Sequence, residues 1–285
     1  MAITSNLVTS TVSQELYANI VQAALFTLSE QTVIRPLVRN YDMTNTPGLT
    51  AQVPIYPAIS AGDLTEGTDI TAGTAFDVTS AEIVCAEKGA LVALSDLSRE
   101  SATDDVAAAI GRQLGDAMAK KVDTDLAALF PGFTNSVGSG AAEITVEDLF
   151  KAAATLRNNN APGPYVCVLH PYQAFQIKKQ LAGAGNTNMV NPSDVGNQAL
   201  RDGFIGNIAG MQVFESTVIS GDSAGAFVGA AMSSDALGYA IKRSMRIEEQ
   251  RDASLRSTEI VGTMAYGVKE LFDTYGVKII GDAQL

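Results

Sequence analysis

The sequence predicts an α+β protein in which one domain is interrupted by another. Three features carry that expectation: a single long amphipathic helix opening near residue 102, strand-like runs both before it and at the end of the chain, and a mixed α/β stretch between them. The chain has 285 residues, 46% hydrophobic and 18% charged, which suits one large or two ordinary globular domains rather than a disordered chain.

Taken in order, residues 11–29 (TVSQELYANIVQAALFTLS) read as a helix. Thr11 and Gln14 offer a capping box, and Val12, Leu16, Ile20, Ala24 and Leu28 recur on one face. The Arg35-Pro36 step ends any continuation. Residues 41–80 carry Pro47, Pro54, Pro57 and several glycines among alternating apolar positions such as Val53 and Ile55, which predicts a long extended excursion. Residues 81–97 read as a strand pair or one long bent strand. Next comes the longest helix, about 102–130, with Ser101 and Asp104 as caps and Lys120 and Lys121 late in its length. Val106, Ile110, Leu114, Met118, Val122, Leu126 and Leu129 form its apolar stripe. Ala107 to Ala109, Gly111 and Gly115 keep part of its surface slim, and Phe130-Pro131-Gly132 stops it.

From about 132 to 245 the pattern alternates. TVEDLFKAAATLR is a helix begun by Thr145, YVCVLH a buried strand, and PYQAFQIKKQL a helix with Pro171 in its first turn. MQVFES and GAFVGA supply further strands. The last 35 residues alternate strand-like runs with tyrosine-glycine pairs and are expected to return to the sheet beside the long helix.

Composition removes several function classes. No apolar run reaches the ~18–20 residues of a membrane-spanning helix, and the first residues lack the pattern of a secretory signal. Cys85 and Cys167 lie far apart, as expected of buried thiols rather than a disulfide framework. With 31 acidic and 19 basic residues the net charge is −12, so the surface on average repels a polyanion. Gly221 to Gly225 (GDSAG) fits the nucleophile-elbow pattern, but the chain's one histidine, His170, precedes Ser223, which reverses the hydrolase order. Ser223 is therefore expected in a turn and His170 at a strand end or helix cap. No Gly-Lys dipeptide exists to form a Walker A loop. One histidine and two distant cysteines cannot build a structural zinc site. Asp123 and Asp125, two apart on a helix, are expected to be solvated. No catalytic residue, cofactor or metal is expected.

Several stretches, in this order, resemble the major capsid proteins of tailed bacteriophages, the Hong Kong 97-like fold. Asp63 to Asp104 looks like the family's extended loop feeding a peripheral strand, with Glu66-Gly67, Phe76, Lys88 and Ser95 to Leu97 in comparable places. Val168 to Lys179 resembles the axial strand-to-helix step. Gly203 to Ile219 is similar to a glycine, isoleucine and valine run of the family, and Ala265 to Asp282 to its closing strands.

The resemblance implies an N-terminal arm at 1–47 containing helix 11–29, and an extended β-hairpin loop at 48–80. It also implies a peripheral domain from 81–131 and 246–285 around a long spine helix, and an axial α/β domain at 132–245. It implies a noncatalytic virion protein that assembles through homo-pentamers and homo-hexamers into an icosahedral capsid enclosing double-stranded DNA, in the host bacterial cytoplasm. A separate scaffold protein, a portal and a decoration protein are partners it brings with it; the early first helix, after Met1, favours a separate scaffold. Bacterial encapsulin shells share the fold and stand as the alternative, and a Ser223 esterase is a remote third.

Some members weld their shells with a lysine of the loop and an asparagine of the peripheral domain. Here no lysine or arginine lies between Arg39 and Lys88, and no asparagine follows Asn207, so no such bond is expected. The window 40–87 carries seven acids, Asp42, Asp63, Glu66, Asp69, Asp77, Glu82 and Glu87. This acidic loop is expected to lie across a neighbouring subunit and meet basic residues there. Lys178, Lys179, Lys242, Arg243, Arg246, Arg251 and Arg256 are the candidates.

Overall fold

A computed structural model describes residues 32–57, 59, 61, 63, 66–67, 76–97, 106–182, 206–221 and 225–282. The arm helix expected at 11–29, and the caps expected at Ser101 and Asp104, lie outside these residues.

Two sheets organise the body. A four-stranded sheet has the order β1 (Arg39–Asp42), β10 (Leu237–Asp252), β11 (Ser257–Glu270), β4 (Ala86–Ser95). β10 and β11 pair antiparallel from Leu237↔Glu270 to Asp252↔Ser257, and β4 continues the antiparallel ladder along β11. The tip of the β10–β11 hairpin is set by Asp252, whose carboxylate accepts the backbone N–H groups of Ser254 and Leu255. Helix α1 (Val106–Ala127) lies against this sheet. Its 22 residues span about 33 Å. Ile110, Leu114, Met118, Val122 and Leu126 of the expected stripe are buried, packed with Ile247, Ile260 and Met264. The helix gives way to a 3₁₀ turn at Phe130–Gly132, where Pro131 ends the pattern.

The second sheet has six strands in the order β5 (Ser136–Ser139), β12 (Gly276–Asp282), β9 (Ala226–Ser233), β6 (Tyr165–Leu169), β8 (Met211–Glu215), β7 (Asn207–Ile208). Helices α2 (Val146–Asn158) and α3 (Pro171–Ala182) contribute to the core on one of its faces. Thr145 caps α2 as expected, and Asp148 completes a capping box. The opposite face, through Val166, Val168, Ala230 and Met232, belongs to the same apolar cluster as α1 and the four-stranded sheet.

One strand differs from the sequence expectation, and one expected division falls within a strand. The division expected between residues 245 and 246 falls within β10, beside a shift in its pairing with β11 between Arg243 and Arg246. The final strand does not return beside the long helix; β12 pairs with β9 and β5 in the other sheet, with Val277 and Ile279 in the core beneath α2. An apolar alternation states that one face is buried, not which of two sheets buries it.

Residues 81–97 follow the bent-strand expectation rather than the strand pair: β3 (Thr79–Val84) stops at Cys85, and β4 continues into a different sheet, where it joins β11. β3 pairs antiparallel with β2 (Thr50–Ile55), so the extended excursion is a two-stranded hairpin whose far end lies between Ile55 and Thr79. Its root is fixed by a third small core of Met43, Val53, Ile83, Cys85, Ala240 and Leu271. β3 can pass this close because Gly267 lacks a Cβ, which would meet the Val84 carbonyl oxygen at 2.4 Å.

Candidate functional site

The groups that could have supported catalysis are occupied structurally. His170 precedes the first turn of α3, where its carbonyl accepts the Ala174 N–H and its Nδ1 accepts the Tyr172 N–H at 3.3 Å. Its ring stacks on Phe227 with centroids 3.9 Å apart. Burial lowers the basicity of this imidazole. Ser223 lies outside the described residues; of those flanking it, Gly221 bridges antiparallel to Phe227 and Gly225 takes φ 88°. Cys167 is fully buried and its thiol is pushed up to about 12 by desolvation, which makes it inert. Among the described residues no cluster of His, Cys, Asp or Glu could hold a metal ion, and no helix is long and apolar enough to cross a membrane.

The cap at His170 carries a pH prediction. Its folded pKa lies below the unfolded value of about 6.5, so its contribution to stability is complete above that pH. The contribution falls as pH drops from about 6.5 through the folded pKa. Thermal unfolding of His170→Asn, which keeps a cap acceptor but does not titrate, is expected to lose less stability than wild type between pH 7.5 and pH 5. Parallel curves for the two proteins would exclude the effect.

What the fold leaves open is the hairpin. Beyond its root, Tyr56, Ile59, Phe76 and Val78 are exposed, and the rings of Tyr56 and Phe76 stack at 6.0 Å. Asp63, Glu66 and Asp77 are exposed there and make no ion pair among the described residues; Asp69 lies outside them. Stacked aromatics beside unpaired carboxylates make an amphipathic finger with no partner in its own described body.

Most of the basic residues expected to receive that finger have partners within their own chain. Lys178 pairs with Glu215 at 2.6 Å and Lys179 with Glu143 at 3.4 Å. Arg246 pairs with Glu248 at 2.5 Å, and Arg251 grips Asp96 through two bonds of 2.5 and 2.6 Å. Arg243 meets Glu87 from the next-but-one strand, and Lys242 donates to the carbonyls of Met43 and Thr46, holding the turn between β1 and β2. Arg256 is exposed at the β10–β11 turn in a left-handed conformation. Charge alone located these residues; the close sequence separation of Arg246 and Glu248 was visible, but the cross-strand pairs depended on a register that the sequence does not state.

Two polar devices escaped the sequence reading. Asp123 is not solvated but 2% exposed, and its carboxylate accepts the backbone N–H groups of Val33, Ile34 and Arg35. The i, i+2 argument correctly separated it from Asp125, which instead takes Lys121 and the Tyr266 hydroxyl. It failed because an aspartate facing inward can be satisfied by a distant backbone. The second device is Gln173, Gln176 and Gln180, one column along α3. Gln176 accepts from Ile144 N–H at 3.0 Å and donates to the Asp282 carbonyl at 2.6 Å. Gln180 holds the Val146 N–H and the Ile144 carbonyl, and Gln173 the Phe227 carbonyl. Three glutamines at i, i+3 and i+7 were the available signal.

Comparison with known proteins places this fold. A family described as "Phage capsid protein" matches residues 83–280. Among solved structures, a chain from Mycobacterium phage Che8 superposes with a TM-score of 0.71 at 21% identity, covering 87% of this chain and 90% of its own. The capsid of cyanophage P-SCSP1u gives 0.69 at 21% identity, over 87% of both chains. The capsid of a native GTA particle gives 0.70 at 10% identity, over 89% of this chain and 91% of its own. No curated protein matches the sequence.

Proposed function

Because the chain belongs to the phage capsid protein family, and is thus a structural protein of the virion and not an enzyme, we propose that its copies assemble through pentamers and hexamers into an icosahedral shell around double-stranded DNA. The observation that supports this reading is the hairpin finger. It exposes two stacked aromatics and unpaired carboxylates that the described body of its own chain does not cover, and a neighbouring copy is the surface that a self-associating subunit always has at hand.

In this reading residues 1–47 are the arm and 48–80 the loop. The peripheral part is built on α1 and the four-stranded sheet, and the axial part on the six-stranded sheet. Salt bridges between finger and neighbour set register and rate more than strength, since exposed pairs are worth about 0–1 kcal/mol. Net acidity also suits a container, because a strongly basic lining would retain its DNA. A scaffold protein, a portal and a decoration protein complete the proposed partners, and assembly occurs in the host cytoplasm. The shell is held without a lysine–asparagine weld.

Expression with the neighbouring genes, followed by electron microscopy, tests the proposal. Closed shells containing nucleic acid are expected, and boiling them in denaturant is expected to release monomers only. Tyr56→Ser with Phe76→Ser is expected to abolish shells while leaving the subunit's thermal unfolding within ~1 kcal/mol of wild type, as for exposed positions generally. Shells filled with an enzyme cargo would favour a nanocompartment, a ladder of covalent multimers would refute the unwelded shell, and normal shells from the double variant would refute the finger's role.

A further inference from the structure

Residues 33–38 lie on the body as a strap. Val33 N–H donates to Asp123 Oδ2 at 2.7 Å, and Ile34 and Arg35 N–H donate to the same carboxylate at 3.2 Å. Ile34 and Val38 plug into the main apolar core, and the Arg35 guanidinium lies 5.0 Å over the Tyr239 ring. The attachment is substantial, and it carries a desolvation cost at two buried polar groups. Asp123 is a carboxylate taken out of water without a salt-bridge partner among the described residues. Burial raises its pKa above the ordinary carboxyl range, outweighing the three amide donors and the Arg35 charge. The Tyr239 hydroxyl is buried with no hydrogen-bond partner among the described residues. Opening the strap would return the Asp123 carboxylate to water and uncover the face of the Tyr239 ring that Arg35 covers.

The body has contacts of its own that do not use the strap. α1 packs on β11 and β4, and Tyr239 stacks on Tyr266, whose hydroxyl is held by Asp125. We propose that residues 33–38 are a releasable strap, buckled by Asp123 and held in tension by the unpaired Tyr239 hydroxyl, which opens as a unit while α1 and its sheet stay folded. The buckle reads only main-chain amides, so what sets its closure is the carboxylate, the two plugs and the arginine lid.

Hydrogen exchange with mass spectrometry on the intact chain tests this through two substitutions of opposite expected sign. In wild type, amides of 33–38 should exchange at least tenfold faster than those of 118–126 in α1. Asp123→Asn, which turns an amide NH₂ toward the donors, should accelerate the strap about tenfold further and leave 118–126 unchanged. Tyr239→Phe keeps the ring under Arg35 but removes the stranded hydroxyl, and should slow the strap severalfold. Strap and helix exchanging in step, a folded Asp123→Asn without acceleration, or a Tyr239→Phe protein whose strap exchanges no slower than wild type would each overturn the proposal. If Asp123→Asn does not fold, the Tyr239→Phe result decides alone.

Discussion

Gly276→Ala is expected to remove a large part of the protein's folding stability. Gly276 opens β12 with ordinary extended dihedrals, φ −122° and ψ 147°, so the difficulty is not backbone strain. A Cβ there would sit 2.1 Å from one carbon of the Phe133 ring and 2.3 Å from two others. Phe133 is wholly buried, and the strand that carries Gly276 is paired with β9 from its first residue. Neither side can yield without moving packed structure. Overpacking of well-filled cores typically costs 1–3 kcal/mol, and a direct overlap with a confined ring belongs above that range, at about 4 kcal/mol. Denaturant unfolding would measure it. Phe133→Leu combined with Gly276→Ala should recover part of the loss, giving a favourable coupling of about 1–2 kcal/mol in a double-mutant cycle. A purely additive result would show that the ring is not the obstacle.

Gln176→Leu is expected to cost about 3 kcal/mol despite its similar volume and its place among apolar neighbours. The wild-type amide closes two backbone gaps at once, the Ile144 N–H and the Asp282 carbonyl. Ile144 is fully buried and Gln176 is 4% exposed, so water does not readily replace the lost partners. Each unsatisfied buried group costs about 1–3 kcal/mol, only partly offset by the better transfer of leucine. Gln176→Glu should be worse, because one oxygen would then face the Asp282 carbonyl with no proton between them at neutral pH. Chemical denaturation of the three proteins gives the order; a leucine variant as stable as wild type would remove the glutamine column from the account of how α3 is fastened.

The sequence was informative where a pattern is local. The stripe from Ile110 to Leu126, the Thr145 cap, the Pro131 stop and the strand Tyr165–Leu169 all depend on neighbours within a turn or two, and each is present. It was uninformative where a residue's partner lies far along the chain. Asp123 is satisfied by amides about 90 positions away, Arg251 by Asp96, and Gln176 by Asp282. The same limit explains the misplaced final strand. The hairpin finger was legible as an acidic, proline-rich excursion, but the Tyr56–Phe76 stack appeared only once β2 and β3 were in register. The seven basic candidates were chosen by sign alone, and in-chain acids had already claimed several of them.

One apolar cluster runs from the α1 stripe through the four-stranded sheet and on to the inner face of the six-stranded one. Close-packed interiors are nearly incompressible, so in the proposed shell a subunit under internal pressure would transmit load as one stiff body. In the proposed shell, differences in tilt between five-fold and six-fold settings would then not be absorbed by flexing between the two sheets. They would fall instead to the two-stranded hairpin of β2 and β3, which is paired in a sheet of its own.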